Sequence, residues 1–290
     1  MNKNNIIILT CLSLSSIPAI TSASPESDLN AFRDFFNKRF PDVKNENYKD
    51  GIYALDKDRR DAWLESEEFA PAYEDAIEHG KKLFNTPFAN GKTYASCFKN
   101  GGIGIKQNYP YFDKDSGQVM TLEKHINLCR SQNGESPLKY KTGKIATISA
   151  YMSYTSRGKT IKIDIPNDPR AIAIYNKGKK HFYSKRGQLN FSCADCHVQG
   201  SGNFVRSEIL SPAWGQVTHF PVWRKKWAAS SADQSNITAG LGTLHRRYSG
   251  CNNNIRAKPF KAQSEEYVAL EYFHTYMNNG QQLNGPALRQ

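Results

Sequence analysis

The sequence contains no apolar run long enough to span a bilayer, and it is short of acidic side chains. A membrane-spanning helix needs about 20 consecutive apolar residues, and the mean hydropathy of the chain is −0.65. Aspartate and glutamate number 27 against 39 lysines and arginines, which gives a formal net charge of +12. A basic chain can bind nucleic acid, but no nucleic-acid recognition motif is present. The sequence therefore predicts a protein that needs neither membrane nor nucleic acid, with anionic substrates or acidic partner proteins.

The N-terminus has the pattern of a secretory signal peptide. Lys3 precedes an apolar stretch at residues 6–9, and a run of small residues ends at Ala23. Cleavage is expected after Ala23, which leaves 267 of the 290 residues and sends the mature protein out of the cytoplasm. Cys11 offers a lipoprotein alternative, although Thr10 before it suits lipid-linked cleavage poorly.

The run Cys193-Ala194-Asp195-Cys196-His197 has the spacing of a covalent attachment site for c-type haem. On a helix, positions i, i+3 and i+4 share one side, so both thiols can hold the porphyrin while His197 binds the iron. A zinc site or a dithiol pair is the alternative for Cys193 and Cys196. A dithiol does not need His197, however, and zinc would need a second ligand pair at zinc spacing. Haem c is attached outside the bacterial cytoplasm, so the motif and the leader both predict the periplasm.

An internal repeat predicts two tandem domains. The segment at 79–84, His-Gly-Lys-Lys-Leu-Phe, recurs at 177–182 as Lys-Gly-Lys-Lys-His-Phe. Each segment ends a helical pattern like the first helix of a small cytochrome c. Apolar residues at near-helical spacing around 145–152 and 270–277 give each half a last helix. We expect a mainly α protein: a signal peptide at 1–23, an N-terminal extension and haem-less cytochrome c-like domain at 24–160, and a haem-binding cytochrome c domain at 161–290.

Aligned on this repeat, the first half lacks the haem motif. Tyr94 stands where the first thiol is expected, and Phe98 stands where the iron-ligating histidine is expected. One covalent haem c is therefore predicted, in the second half. Cys97 then needs another role, and Cys129 is the available partner in the same half. We expect a disulfide between Cys97 and Cys129, because disulfides persist in exported compartments; two buried free thiols are the alternative.

The cysteine count isolates Cys251. Two of the five mature cysteines would hold haem and two would form the disulfide, so Cys251 is left over. The iron also needs a sixth ligand or an open position, and the chain has only four methionines. Cys251 lies between the haem motif and the last helix, where the distal ligand of a cytochrome belongs, and His245 is the second candidate. Arg247 could hold the sulfur ionised and receive an anion.

Several segments resemble those of one family of haem proteins, the A subunits of the SoxAX cytochromes of bacterial thiosulfate oxidation. They are GKKLF at 80–84, INLCR at 126–130, KRGQLNFSC at 185–193, HFPV at 219–222 and RRYSGCN at 246–252. With Tyr94 and Phe98 in place, the sequence is similar to the single-haem type. The resemblance implies that His197 and Cys251 are the axial haem ligands. It also implies that Cys251 is the active-site cysteine, found in the family as a persulfide, and that Arg247 binds substrate.

The resemblance further implies a sulfur-group transferase with cytochrome c as electron acceptor. Its reaction conjugates thiosulfate to a cysteine of the carrier protein SoxYZ, and its partners include a SoxX-type cytochrome c subunit and a small soluble cytochrome. A periplasmic electron carrier without bond-forming activity is the alternative, and a haem-based sensor or binding module is a third possibility. A cysteine with a nearby arginine in the ligand loop favours the enzyme, because electron transfer needs neither.

Overall fold

The computed structural model describes residues 24–69, 71–205, 208–233 and 235–289. The predicted signal peptide at 1–23, with Cys11, lies outside these residues. Within them, no helix combines the length and the apolar character that a membrane crossing requires.

The described chain is mainly helical. The α-helices are α1 (Pro25–Arg39), α2 (Lys57–Phe69), α3 (Glu74–Asn85), α4 (Leu122–Gln132), α5 (Lys144–Tyr154), α6 (Pro169–Tyr183), α7 (Lys225–Ala229), α8 (Leu244–Asn254) and α9 (Glu265–Tyr276). A 3₁₀ segment follows α1 at Asn45–Leu55, and a π-helical turn lies at Asp195–Gln199. The strands are short: β1 (Tyr111–Asp113), β2 (Gln118–Met120), β3 (Phe204–Val205), β4 (Glu208–Ile209), β5 (Val222–Arg224), β6 (Leu241–Gly242) and β7 (Ala287–Arg289).

Local capping residues determine where the helices of the second half begin. Asp168 accepts a hydrogen bond at Oδ1 from the backbone N–H of Arg170 at 2.8 Å, and Pro169 occupies the first position of α6. Aspartate is a preferred N-cap and proline suits the first helical position, where no backbone donor is needed. Ser264 caps α9 in the same way by accepting from the N–H of Tyr267. Helix α6 therefore begins at Pro169.

Two helix pairs follow the repeat seen in the sequence. Helix α3 packs on α5, and α6 packs on α9. Gly80 lies in the first crossing and Gly178 in the second, and both are buried. A β-carbon at Gly80 would lie 2.5 Å from the Thr147 carbonyl oxygen. Glycine lets two backbones approach this closely, so the repeated glycine has a packing reason in each half.

Aromatic side chains fill the core of the first half. Tyr94 and Phe98 are 2% and 6% exposed, and Tyr94 stacks on Phe84 with ring centroids 5.8 Å apart. Cys97 and Cys129 form a disulfide with their α-carbons 5.7 Å apart, as the sequence predicts. The positions aligned with a haem thiol and an iron ligand therefore carry packing residues.

The N-terminal extension packs on the second half of the chain. Asp28 of α1 accepts hydrogen bonds from the Tyr175 hydroxyl (2.8 Å) and from Lys179 (2.6 Å), both on α6. Phe36 is fully buried and lies against Trp214. No local pattern in the sequence indicates that the neighbour of Phe36 is the distant second half of the chain.

A three-stranded sheet joins the C-terminus to the segment before α8. Strand β5 is central: it pairs antiparallel with β6 and parallel with β7. The last residue of β6 is followed by Thr243, the residue at the start of α8. The sheet therefore fixes where α8 begins, and Val222 at the start of β5 pairs with the residue just before Thr243.

Candidate functional site

A reciprocal pair of hydrogen bonds starts the turn that carries the haem motif. The Asp195 carboxylate accepts from the backbone N–H of Ser192 at 2.8 Å and from its hydroxyl at 2.9 Å. The Ser192 hydroxyl oxygen accepts from the N–H of Asp195 at 3.0 Å. This arrangement is a capping box, which satisfies donors that a helix start would otherwise leave free. Cys193 and Cys196 lie on the turn that it opens.

His197 is held by its Nδ1 atom. This nitrogen lies 2.9 Å from the carbonyl oxygen of buried Ser211. A carbonyl only accepts, so Nδ1 carries the proton and Nε2 keeps the lone pair that a metal needs. The amide of Gln216 contacts the same ring and the Ser211 hydroxyl. Such partners set the tautomer and orientation of metal-binding histidines.

The loop before Cys193 packs against the C-terminal end of α8. Gly187 has a φ of +70°, and a β-carbon there would lie 2.2 Å from the carbonyl oxygen of Ile255. Only glycine allows both this conformation and this approach. The N–H of Leu189 donates to the same carbonyl at 3.3 Å. Through this contact the attachment turn and α8 are held side by side.

Cys251 lies on α8, and its thiol faces His197. The His197 side chain and the positive charges of Arg247 and Arg224 all act on the sulfur. Burial alone would raise the pKa of the Cys251 thiol, but these groups together lower it to about 7. The sequence placed Cys251 in a ligand loop, whereas the structure places it on a helix.

The pKa values of the other two cysteines of the site shift in the opposite direction. Burial raises the pKa of the Cys193 thiol to about 12, and burial also raises the pKa of Cys196. Thiolates, not thiols, are the nucleophilic form of cysteine. Of these three sulfurs, Cys251 is therefore the one whose surroundings favour the reactive form.

Arg247 and Cys251 are four residues apart on α8, and such positions lie on the same face of a helix. Arg246 is used differently. Its guanidinium lies 3.9 Å from the centre of the Trp227 ring and donates to the Leu241 carbonyl at 2.7 Å. Burial and, to a smaller extent, the charge of Arg224 together lower the pKa of Arg246 to about 10. Arg246 thus anchors α8 to the sheet.

His245, the second candidate for the distal ligand, faces away from the haem motif. Its Nε2 atom lies 2.9 Å from the Glu271 carboxylate, and both side chains are 3% exposed. Its Nδ1 accepts from the N–H of Gln263 at 3.1 Å. Because both ring nitrogens have partners on the opposite side of α8, His245 is a structural histidine.

The donor set suits a covalently held haem with two axial ligands. Two thiols lie on one turn, one imidazole is oriented through its Nδ1, and a third thiol lies near that imidazole. Cys193 and Cys196 are the residues that would hold the porphyrin of a haem c, and His197 and Cys251 are those that would hold its iron.

Sequence reasoning missed three side chains of this site. Ser211 and Gln216 orient His197, and Arg224 adds charge beside Cys251. None of them belongs to a local motif, since each reaches the site through the tertiary fold. The one hint in the sequence is that all three lie between the haem motif and Cys251.

Comparisons with known proteins agree with this geometry. Residues 79–161 match the family model described as SoxA/TsdA, cytochrome c domain, so the cytochrome signature extends to the half without the haem motif. The chain is 47% identical to the L-cysteine S-thiosulfotransferase subunit SoxA of Allochromatium vinosum, over 100% of both chains. It is 52% identical to the same subunit of Chlorobaculum tepidum, over 91% of this chain and 88% of that one.

A solved structure is also similar. The crystal structure of SoxXA from P. pantotrophus superposes with a TM-score of 0.69 at 27% identity, over 79% of this chain and 84% of that chain. The mainly α, cytochrome c-like fold predicted from the sequence is confirmed.

Proposed function

The chain belongs to the SoxA family of L-cysteine S-thiosulfotransferase subunits, and from that premise we propose how its residues conjugate thiosulfate to a cysteine of the carrier protein SoxYZ. The reaction joins the terminal sulfur of thiosulfate to the carrier sulfur. One proton and two electrons leave, and the product is a carrier S-thiosulfonate. Two anionic sulfur species must meet, so positive charge at the meeting point lowers the barrier.

In this proposal, Cys251 forms a covalent intermediate with the substrate. Its sulfur, as thiolate or persulfide, joins the terminal sulfur of thiosulfate while two electrons leave the site. The carrier thiolate then attacks that sulfur and displaces the Cys251 thiolate, or the Cys251 persulfide where that form reacted, which is restored. Arg247 binds the sulfonate oxygens, for which a guanidinium offers a matching fork of donors.

The haem, held by Cys193, Cys196, His197 and Cys251, would supply a one-electron acceptor next to the reacting sulfurs. Ser211 and Gln216 keep the His197 ring oriented for that role. A second electron needs a second acceptor, so a SoxX-type cytochrome c subunit is the proposed partner, and a small soluble cytochrome is the onward acceptor. The assembly named SoxXA, to which the fold is similar, supports this pairing.

The periplasm is the proposed compartment, with a signal peptide at 1–23. We also propose that residues 24–160 and 161–290 are two cytochrome c-like domains and that only the second holds haem. The two helix crossings at Gly80 and Gly178 support this division. The aromatic core around Tyr94 and Phe98 supports a first domain without haem.

The observation that carries the proposal is the thiol of Cys251, which faces His197 within the charge of Arg247 and Arg224. A pure electron carrier needs a ligand but no cationic environment around it. The direct test is turnover: haem-loaded protein with its SoxX-type partner, SoxYZ, thiosulfate and oxidised cytochrome c. Cytochrome reduction should require both thiosulfate and the carrier, and the carrier should gain the mass of one thiosulfate group. Reduction without a change in carrier mass would support the electron-carrier alternative.

Mass spectrometry of the exported protein should show a single haem. The expected mass is that of residues 24–290 plus one haem, less two hydrogens for the Cys97–Cys129 disulfide. Only the second half has two thiols next to an iron-binding histidine, so a second covalent haem has no attachment site. A pyridine haemochrome assay that gave two haems per chain would contradict this expectation.

Replacing Arg247 with alanine should reduce thiosulfate turnover while the haem content stays unchanged. Hydrogen bonds to charged groups contribute about 1.5–3 kcal/mol, which corresponds to a loss of about 10- to 100-fold in kcat/KM. Lys258→Ala is the matched control, because it removes one positive charge from an exposed position after α8. Equal turnover in Arg247→Ala and the wild type would remove Arg247 from the substrate site.

A further inference from the structure

Arg224 is the last residue of β5, and its guanidinium lies over the Trp227 ring, 5.4 Å from the ring centre, where Arg246 of α8 also lies at 3.9 Å. Its backbone N–H donates to the Gly240 carbonyl at 2.9 Å, and its register partner on β7 is Arg289. Strand β6, on the other side of β5, leads directly into α8. Arg224 is therefore tied to the helix that carries Arg247 and Cys251, although it lies far from both in sequence.

The side chain of Arg224 adds to a concentration of positive charge beside Cys251. It is partly buried, and its charge interacts with those of Arg247 and Cys251. Burial lowers the pKa of Arg224, and the charge of Arg247 lowers it further. Like charges held together in a partly buried place oppose one another. Such an arrangement is stabilised when an anion binds between them.

A third guanidinium lies next to this pair. The charge of Arg289 interacts with Arg224 and Arg247. Its Nε atom donates to His219 at 3.1 Å, whereas its buried Nη2 atom has no hydrogen-bond partner among the residues that the structure describes. Arg246, which shares the Trp227 ring with Arg224, donates to the backbone carbonyls of Ala239 and Leu241. The cationic site thus consists of Arg224, Arg247 and Arg289. Arg246 does not belong to it, although it is the sequence neighbour of Arg247.

We propose that Arg224 is a second binding residue for the sulfonate end of thiosulfate, acting with Arg247 to direct the terminal sulfur towards Cys251. This inference rests on the proposed function. A sulfonate has three oxygens, so two guanidinium groups can each bind it through two donors without competing for the same oxygen. With its sulfonate held on two sides, thiosulfate has a fixed direction, and the opposite end meets the Cys251 sulfur.

Glu208 gives the proposal a second consequence. Its charge interacts with Arg224 and with Arg289, so it offers these arginines a negative partner when no substrate is bound. A resident carboxylate competes with an incoming anion for the same donors. Glu208→Gln should therefore bind thiosulfate more tightly than the wild type.

The experiment measures thiosulfate binding to the haem-loaded protein by isothermal titration calorimetry, without carrier protein and without an electron acceptor. We expect Arg224→Ala to weaken binding about 10- to 100-fold. Arg224→Lys keeps the charge but loses the fork of donors. Its affinity for thiosulfate should therefore lie between those of the wild type and Arg224→Ala. In turnover assays, Arg224→Ala should raise KM for thiosulfate more than it lowers kcat.

Lys225→Ala is the matched control, because the neighbouring Lys225 is exposed and carries the same charge. Its thiosulfate affinity should stay within about twofold of the wild type. Equal losses in Lys225→Ala and Arg224→Ala would attribute the effect to net charge and overturn the proposal. Wild-type affinity in Arg224→Ala would also overturn it, as would unchanged or weaker binding in Glu208→Gln. Failure of the proposed function itself appears separately, as wild-type protein that binds thiosulfate but leaves the carrier mass unchanged.

Discussion

Replacing Cys251 with alanine is expected to abolish thiosulfate conjugation while the haem stays attached. Cys193, Cys196 and His197 are untouched by this change, so one haem per chain should remain. The sulfur that faces His197 is lost, and the absorption spectrum should shift because an axial ligand has changed. Removal of a covalent nucleophile typically costs a factor of about 1,000 or more in turnover. Carrier mass, cytochrome reduction and the haem spectrum check the three parts of this expectation.

Cys251→Met is the variant that separates the two roles of the sulfur. A methionine can supply a sulfur ligand to the iron, but a thioether cannot carry a transferable sulfur. The haem spectrum of Cys251→Met should show sulfur ligation, and its reduction potential should be higher than that of the wild type. Its turnover should be as low as that of Cys251→Ala. Turnover in Cys251→Met close to the wild type would reduce Cys251 to a structural ligand and favour the electron-carrier alternative.

The parts of the site that sequence could predict are those built from contiguous residues. Cys193, Cys196 and His197 lie on one turn, so their spacing alone indicates haem attachment. Arg247 and Cys251 are likewise four residues apart on one helix face. The helical setting of Cys251 was missed because the segment 244–254 contains a glycine and several polar residues, and its helix depends on the sheet and on α9 for stability.

The parts that sequence could not predict arise from pairing between distant segments. Strand β7 has only three residues, and its parallel pairing with β5 brings Arg289 beside Arg224. No periodicity can be read from three residues, and the pairing joins the C-terminus to a strand before α8. Similarly, Asp28 finds its partners on α6, well over 100 residues away. Long-range polar contacts of this kind leave no local pattern.

The repeated glycine shows how a short motif can encode a packing geometry. Gly80 and Gly178 are found at the same place in the repeat, and each sits where one helix backbone touches another. The first-domain crossing persists although no haem motif remains there, since α3 and α5 still need close contact to bury Ile145 and Ile148. The helix pair is therefore a requirement of the fold, separate from the cofactor.

Gly178→Ala should lower the stability of the protein. A β-carbon at this position would lie 2.0 Å from the Ala269 carbonyl oxygen and 2.6 Å from the carbonyl carbon. These are backbone atoms of α9, so they cannot rotate away, and α6 and α9 must separate. Alanine favours an isolated helix by about 1 kcal/mol over glycine. Helix propensity alone would therefore predict that Gly178→Ala stabilises the protein. Overpacking of a core typically costs up to about 3 kcal/mol, which corresponds to a fall of roughly 10 °C in Tm.

Thermal unfolding followed by far-ultraviolet circular dichroism, with haem content measured in parallel, checks this expectation. Asn176→Ala is the matched control, because Asn176 is exposed on the same helix and gains helix propensity without a clash. Its Tm should stay equal to that of the wild type or rise slightly. If Gly178→Ala were as stable as Asn176→Ala, the close contact between α6 and α9 would be wrong.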